Sequence, residues 1–233
     1  MKKLILVTGA EGRFAQILKR DNTKLNLYFA SKRQCNILDV NSIKKIVNKI
    51  KPKIILHTAG LSRPMKLHET NIKKSIDLNI IGTCNLVKEA SKNNIRLIYL
   101  STSYVYPGSK GNYSEMDSLK PWNNYGWSKL GGEAAVQMYK NSLILRICMT
   151  EKPFVHKKAY ANVKSNFIYQ EEAAEIVLKL LNKKGIINVG GPSLKIFDFA
   201  KKYNPKIKKI YSNGNFPKRI DMNLNKLKKI LKK

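Results

Sequence analysis

The stretch "KLILVTGAEGRFAQIL", residues 3–18, decides how the rest of the chain is read. A short apolar run, Leu4 to Val7, ends at Thr8 and Gly9, and Gly12 and Ala15 follow at three-residue intervals. Phe14, Ile17 and Leu18 then recur at helical spacing. The pattern predicts a buried strand, a glycine turn and a helix. One glycine gives a tight turn, a second lets a pyrophosphate approach the backbone, and a small third residue lets helix pack on strand. The helix N-terminus would face that anion with free N–H groups. The bland alternative is a plain strand–turn–helix joint.

Working outward, "LNLYFA" reads as a second strand, "SIKKIVNKI" as a helix with Asn41 or Ser42 as its cap, and "KIILHTAG" after Pro52 as a third strand. A long helix is expected from about Asn71 to Asn93, a strand at "IRLIYLSTS", a helix from about Asn124 to Tyr139 and a strand at "SLILRI". Strand and helix alternate, and the strands are apolar on both faces, as a parallel sheet covered by helices requires. The expected fold is α/β, a doubly wound parallel Rossmann-like sheet over residues 1–148. Residues 149–233 are expected to form a small C-terminal substrate lobe without independent standing. There the pattern loosens into "QEEAAEIVLKLL", "GIINVGG", "SLKIFDFAKKY" and a last helix in "NLNKLKKIL".

The composition excludes several classes. No apolar run approaches the ~20 residues of a membrane span, and Leu4–Val7 is too short for a signal-peptide core, so a cytoplasmic protein is expected. Cys35, Cys84 and Cys148 and the dispersed His57, His68 and His156 form neither a disulfide framework nor metal-ligand spacing, so no metal site is expected. The net charge is +30. Lysines are spread along the chain, in pairs such as Lys44–Lys45 and Lys201–Lys202, rather than gathered with Arg and aromatics on one element. Compositional drift is therefore preferred over a nucleic-acid surface. Either origin makes a field that attracts anionic substrates.

The second strand ends "FASKRQ". A site for NAD(H) normally places a carboxylate there to hold the ribose 2′-OH. Instead there are Ser31, Lys32 and Arg33, and Arg13 in the glycine turn could reach the same group. A 2′-phosphate suits these residues, so NADP(H) is expected over NAD(H).

The stretch "NNYGWSKLGGE", residues 123–133, sets Tyr125 one helical turn before Lys129. A phenol with pKa near 10 is a poor acid–base group at neutral pH, and an ammonium on the same helix face stabilises its phenolate. Taken with "TGAEGRFA", "LDV" at 38–40, "HTAG" at 57–60, "LNIIGTCNL", "YLSTSYVYPG", "NVGGPSLKIFDFAKKY" and "DMNLNKLKKIL", this order resembles the extended short-chain dehydrogenase/reductases nearly end to end. Within them it is similar to the dTDP-4-dehydrorhamnose reductase-like sugar-nucleotide reductases.

The resemblance implies Thr102, Tyr125 and Lys129 as catalytic residues. It implies a dinucleotide held by Gly9, Gly12, Arg13, Phe14, Ser31, Lys32, Arg33, Asp39, Val40, Ala59, Gly60, Asn79, Tyr125 and Lys129. Arg63, Thr102 and Ser103 are implied near a nucleotide-sugar substrate. Two departures matter. Ser103 and Tyr104 stand where the family's dehydratases carry an Asp–Glu pair, which argues against elimination of water. Met65, with Arg63 nearby, replaces the carboxylate usual in the reductases' loop after the third strand. The expected function is NADPH-dependent reduction of a 4-keto sugar nucleotide. The alternatives are an epimerase that retains NAD and a non-catalytic, dinucleotide-binding regulatory subunit, and an oligomer is compatible with any of them.

Overall fold

The computed structural model describes residues 3–21, 24–214 and 216–232. In chain order the elements are β1 (Ile5–Thr8), α1 (Arg13–Asp21), β2 (Leu27–Ala30), α2 (Val40–Ile50), β3 (Ile54–His57), α3 (Leu67–Thr70), α4 (Ile72–Ile76), a π-helical turn (Asp77–Ile81), α5 (Gly82–Lys92) and β4 (Arg96–Thr102). A 3-10 turn (Ser103–Val105) follows, then α6 (Asn124–Gln137), β5 (Ser142–Ile147), β6 (Met149–Thr150), β7 (Lys158–Tyr160), β8 (Lys164–Ser165), β9 (Ile168–Tyr169) and α7 (Gln170–Leu180). The chain ends with β10 (Gly185–Val189), β11 (Leu194–Lys195), α8 (Ile196–Lys201), β12 (Lys208–Ile210) and α9 (Asn225–Leu231). Among the described residues no helix is long and apolar enough to cross a membrane.

A six-stranded parallel sheet runs in the order β10-β5-β4-β3-β1-β2. Strands β1, β3 and β5 are buried along their whole length, because helices cover both faces. On one face Phe14 and Leu18 of α1 and Ala173 and Val177 of α7 pack on Val7, Leu56, Ile98 and Leu145. On the other face Ile43 and Val47 of α2, Leu86 of α5 and Val136 of α6 pack on Leu6, Ile55, Leu97 and Ile144. The strand order reverses between β1 and β3. In such sheets the crevice outside the carboxyl ends at that reversal is where ligands bind.

Three local readings change. Helix α2 is capped by Asp39, whose carboxylate accepts from the Asn41 N–H, so the cap lies before Asn41 and Ser42. The long helix expected from Asn71 is interrupted. Asn71 ends α3 and caps α4, and the π turn over 77–81 resets the phase before α5. Beyond Cys148, α7 and β10 return to the main sheet, where β10 pairs with β5 along Gly185–Val189. The sequence-derived lobe of 149–233 thus shares residues 170–189 with the sheet. Its own core gathers Phe154, Val163, Tyr169, Phe199 and Ile220.

Candidate active site

Helix α6 is drawn tightly onto the sheet, and this sets the position of Tyr125 and Lys129. A Cβ on Gly132 would stand 2.4 Å from the Asn79 carbonyl oxygen and 2.7 Å from the Tyr99 hydroxyl, so only glycine permits this approach. The Tyr99 hydroxyl in turn donates to the Lys129 carbonyl at 3.1 Å. Asn123 caps the helix by accepting the Gly126 N–H at 2.8 Å, so the first turn starts one residue ahead of Tyr125.

The structure brings Thr102, Tyr125 and Lys129 to one end of the sheet. Thr102 closes β4, is buried, and accepts the Tyr104 N–H at 3.3 Å. The half-buried Tyr125 is fixed between rings, with His68 at 5.0 Å and Tyr104 edge-on at 5.8 Å between centroids. Desolvation raises the Tyr125 phenol above its usual range, while hydrogen bonding with Thr102 and the positive charge of Arg63 pull it partly back. At neutral pH Tyr125 therefore holds its proton and can donate it. The Lys129 ammonium sits 4.1 Å from the centroid of the Tyr99 ring. Desolvation lowers its pKa to about 7, opposed by the Glu133 carboxylate one turn on.

Beneath these groups lies a buried ionic network that sequence reading missed. Glu133 receives the Ser101 hydroxyl at 2.7 Å, Arg146 Nε at 3.1 Å and Arg146 Nη2 at 2.5 Å. Arg146 Nη1 donates to the Tyr106 hydroxyl at 2.8 Å, which donates to Asn188 Oδ1 at 2.8 Å. The four-residue steps from Tyr125 to Lys129 to Glu133 were the available signal, since they put all three on one helix face.

The glycine turn meets the end of β3. Gly9 has φ +70°, and a Cβ there would lie 2.7 Å from Ala59 Cα. The Ala59 N–H donates to Thr8 Oγ1 at 3.2 Å. His57 bridges Thr8 Oγ1 (3.0 Å) and Thr83 Oγ1 (3.1 Å), and burial lowers its pKa to about 3, so it is a neutral brace. Gly12 and Arg13 are exposed at the start of α1. Phe14 is in the core, so only its backbone can face a ligand. Asn79 accepts the Leu61 N–H at 2.7 Å and donates to the Leu61 carbonyl and Ser128 Oγ. Its amide shapes the Gly60–Leu61 turn from behind.

Around the expected adenosine end, Lys32 and Arg33 are exposed beside Ser31, and Asp39 and Val40 are exposed at the start of α2. Two contacts there were not legible in sequence. Glu11, in the glycine turn, accepts the Lys32 N–H at 3.3 Å, so a carboxylate does reach the end of β2. Arg13 points elsewhere, to Glu151 at 3.0 Å. Arg63 reaches the same carboxylate at 2.9 Å. Ser103 Oγ is buried beside the Cys148 thiol.

Comparison with known proteins converges on one family. The family model described as the RmlD substrate binding domain matches residues 1–176. The methionine adenosyltransferase 2 subunit beta of Pongo abelii is 35% identical over 141 residues, covering 57% of this chain and 42% of that protein. A dTDP-4-dehydrorhamnose reductase of Aggregatibacter actinomycetemcomitans is 26% identical over 199 residues, covering 81% and 62%. Among solved structures, the dTDP-4-dehydrorhamnose reductase of Bacillus anthracis in complex with NADP superposes with a TM-score of 0.87 at 22% identity, covering 98% of this chain and 91% of that one. The match to the subunit beta thus spans about two fifths of that relative's length.

Proposed function

This chain belongs to the RmlD substrate binding domain family of extended short-chain dehydrogenase/reductases, and on that premise we propose that it reduces the keto group of a 4-keto sugar nucleotide with NADPH. The observation that carries the reading is the set Thr102, Tyr125 and Lys129 at the carboxyl end of β4, beside the crevice where the strand order reverses.

The residues around that crevice fit a nicotinamide dinucleotide. The glycine turn bares the backbone at Gly9 and Gly12 just before the first amides of α1, a nine-residue helix, where a pyrophosphate would lie. Ser31, Lys32 and Arg33 would hold the adenosine ribose, Asp39 and Val40 the adenine, and Ala59 and Gly60 the middle of the ligand. Tyr125 and Lys129 would hold the nicotinamide ribose. When bound, the reduced nicotinamide supplies a hydride to the carbonyl carbon. Tyr125 gives its proton to the carbonyl oxygen, and Thr102 orients that oxygen by hydrogen bonding. The positive charges of Lys129 and Arg63 then stabilise the phenolate left behind. No carboxylate pair follows Thr102, which suits reduction without elimination.

Preference for NADPH rests on Lys32 and Arg33 and is opposed by Glu11. A charge-assisted contact to a 2′-phosphate contributes about 1.5–3 kcal/mol, roughly ten- to a hundredfold in affinity. Fluorescence titration of both reduced cofactors against wild type and Ser31→Asp/Arg33→Ala tests it. Equal wild-type affinities would remove the preference.

A second reading is favoured by a specific observation: relatives 31–35% identical, from Danio rerio and Pongo abelii, are methionine adenosyltransferase 2 subunits beta. In that reading the chain binds dinucleotide and a partner without turnover. NADPH oxidation against a panel of 4-keto-6-deoxy nucleotide sugars separates the two. Turnover supports the reductase. NADPH binding without turnover, together with a co-purifying partner, supports the subunit.

A further inference from the structure

Three charged side chains span the mouth of the crevice. Arg13 opens α1 directly after the glycine turn, and Arg63 lies in the loop after β3, where its charge acts on Tyr125. Glu151, just past β6, joins them. Its Oε1 lies 3.0 Å from Arg13 Nη1 and 3.1 Å from Arg63 Nη1, and its Oε2 lies 2.9 Å from Arg63 Nη1. The carboxylate is mostly buried, with 16% of its side chain exposed, whereas Arg13 is 51% exposed. Thr150 Oγ1 lies 3.4 Å from Oε2, and the His156 imidazole is close enough to feel the charges of both Arg63 and Glu151.

Two guanidiniums around one carboxylate keep a net positive charge and a geometry matched to an oxyanion. Left without the carboxylate, they would repel each other across the cleft. We propose that Arg13 and Arg63 form a receptor for a diphosphate, and that Glu151 is its built-in competitor, displaced when the ligand enters. This inference rests on the crevice being the dinucleotide site. The diphosphate can come from the dinucleotide, which would engage Arg13 beside the glycine turn, or from the sugar nucleotide, which would engage Arg63 beside Tyr125. In either case Glu151 weakens ground-state binding and returns to bridge the empty crevice once the anion leaves.

Glu151→Gln keeps the shape and removes the competing charge. In calorimetric titrations of the whole chain it should tighten NADPH, dTDP and inorganic pyrophosphate by about tenfold, the scale of one charge-assisted contact. Arg13→Gln and Arg63→Gln should each weaken pyrophosphate by a similar factor, and the gain from Glu151→Gln should vanish in the triple variant. A loss confined to NADPH in Arg13→Gln, and to dTDP in Arg63→Gln, assigns the two sources. Wild-type binding of NADPH with no tightening in Glu151→Gln, the variant's melting temperature being intact, overturns the competitor role and leaves the cofactor site standing. A Glu151→Gln variant that melts early is tested instead as Glu151→Asp, whose shorter carboxylate should give an intermediate gain, and unchanged or weaker pyrophosphate binding there overturns the proposal. Absence of NADPH binding by wild type overturns both readings.

Discussion

Replacing Glu133 by Gln should damage the protein in two places at once. Glu133 is 0% exposed and Arg146 is 1% exposed, so the amide would leave a guanidinium buried without its counter-charge. Breaking such a pair from one side costs about 3–5 kcal/mol. The Ser101 hydroxyl can still donate to the Gln oxygen, so the lower end, about 3 kcal/mol, is expected. With a urea m-value of about 1–3 kcal/mol per molar, the midpoint should fall by roughly 1–3 M. Arg146→Met should cost a similar amount. The double variant Glu133→Gln/Arg146→Met should cost about 2 kcal/mol or less, because it removes both desolvated charges together. Loss of the carboxylate also removes what holds the Lys129 ammonium up, so its pKa should move below about 7. Urea melts of the four proteins give the coupling, and NMR of the lysine side-chain methylene gives the titration. Additive single-variant losses, or an unmoved Lys129, would refute the claim that the ion pair and Lys129 form one electrostatic unit.

Other outcomes follow from the same geometry. Gly9→Ala should lose dinucleotide binding at least about tenfold and cost about 1–3 kcal/mol, since its Cβ would meet Ala59 Cα at 2.7 Å with φ at +70°; titration and melting check both. Glu11→Gln should shift cofactor choice toward NADPH by about fivefold, the effect of removing one charge near a 2′-phosphate in water, as measured by the ratio of dissociation constants. Lys129→Met bears on pH dependence. Its folded-state pKa of about 7 lies below the free lysine value, so the unfolded chain binds more protons above neutrality and wild-type stability rises with pH in that window. The Met variant should therefore be more stable by about 1–2 kcal/mol after solvent screening. That advantage should be largest at and below neutral pH and shrink toward about pH 10; a difference flat with pH would contradict the burial of the ammonium.

The sheet was legible because parallel strands are buried on both faces, so runs such as Ile54–His57 and Leu97–Leu100 stand out without periodicity. The strand end at Thr102 and the helical turn from Tyr125 to Lys129 were legible because each is local, while grouping the three as one site came from the family resemblance. Glu151 was not, since the Arg63 it holds is 88 residues away in sequence and no local pattern marks the contact. Glu11 was overlooked for a related reason: the carboxylate sought at the end of β2 comes from the neighbouring turn, 21 residues earlier. The π turn at Asp77–Ile81 left no signal because it continues helical backbone between α4 and α5. The C-terminal lobe was blurred because β6, β8, β9 and β11 are two residues long, too short for any period to appear.

Single-turnover oxidation of NADPH, followed by absorbance with a 4-keto-6-deoxy nucleotide sugar bound to wild type and to Tyr125→Phe, tests the central claim most directly. Wild type should oxidise NADPH stoichiometrically, and the variant should lose about 10²–10⁴-fold in rate, the usual contribution of a positioned acid, with NADPH affinity falling by no more than about tenfold, the most that one lost neutral hydrogen bond to the nicotinamide ribose costs. A wild-type protein that binds both ligands and leaves NADPH unoxidised, or a Tyr125→Phe variant that reacts at the wild-type rate, would contradict it.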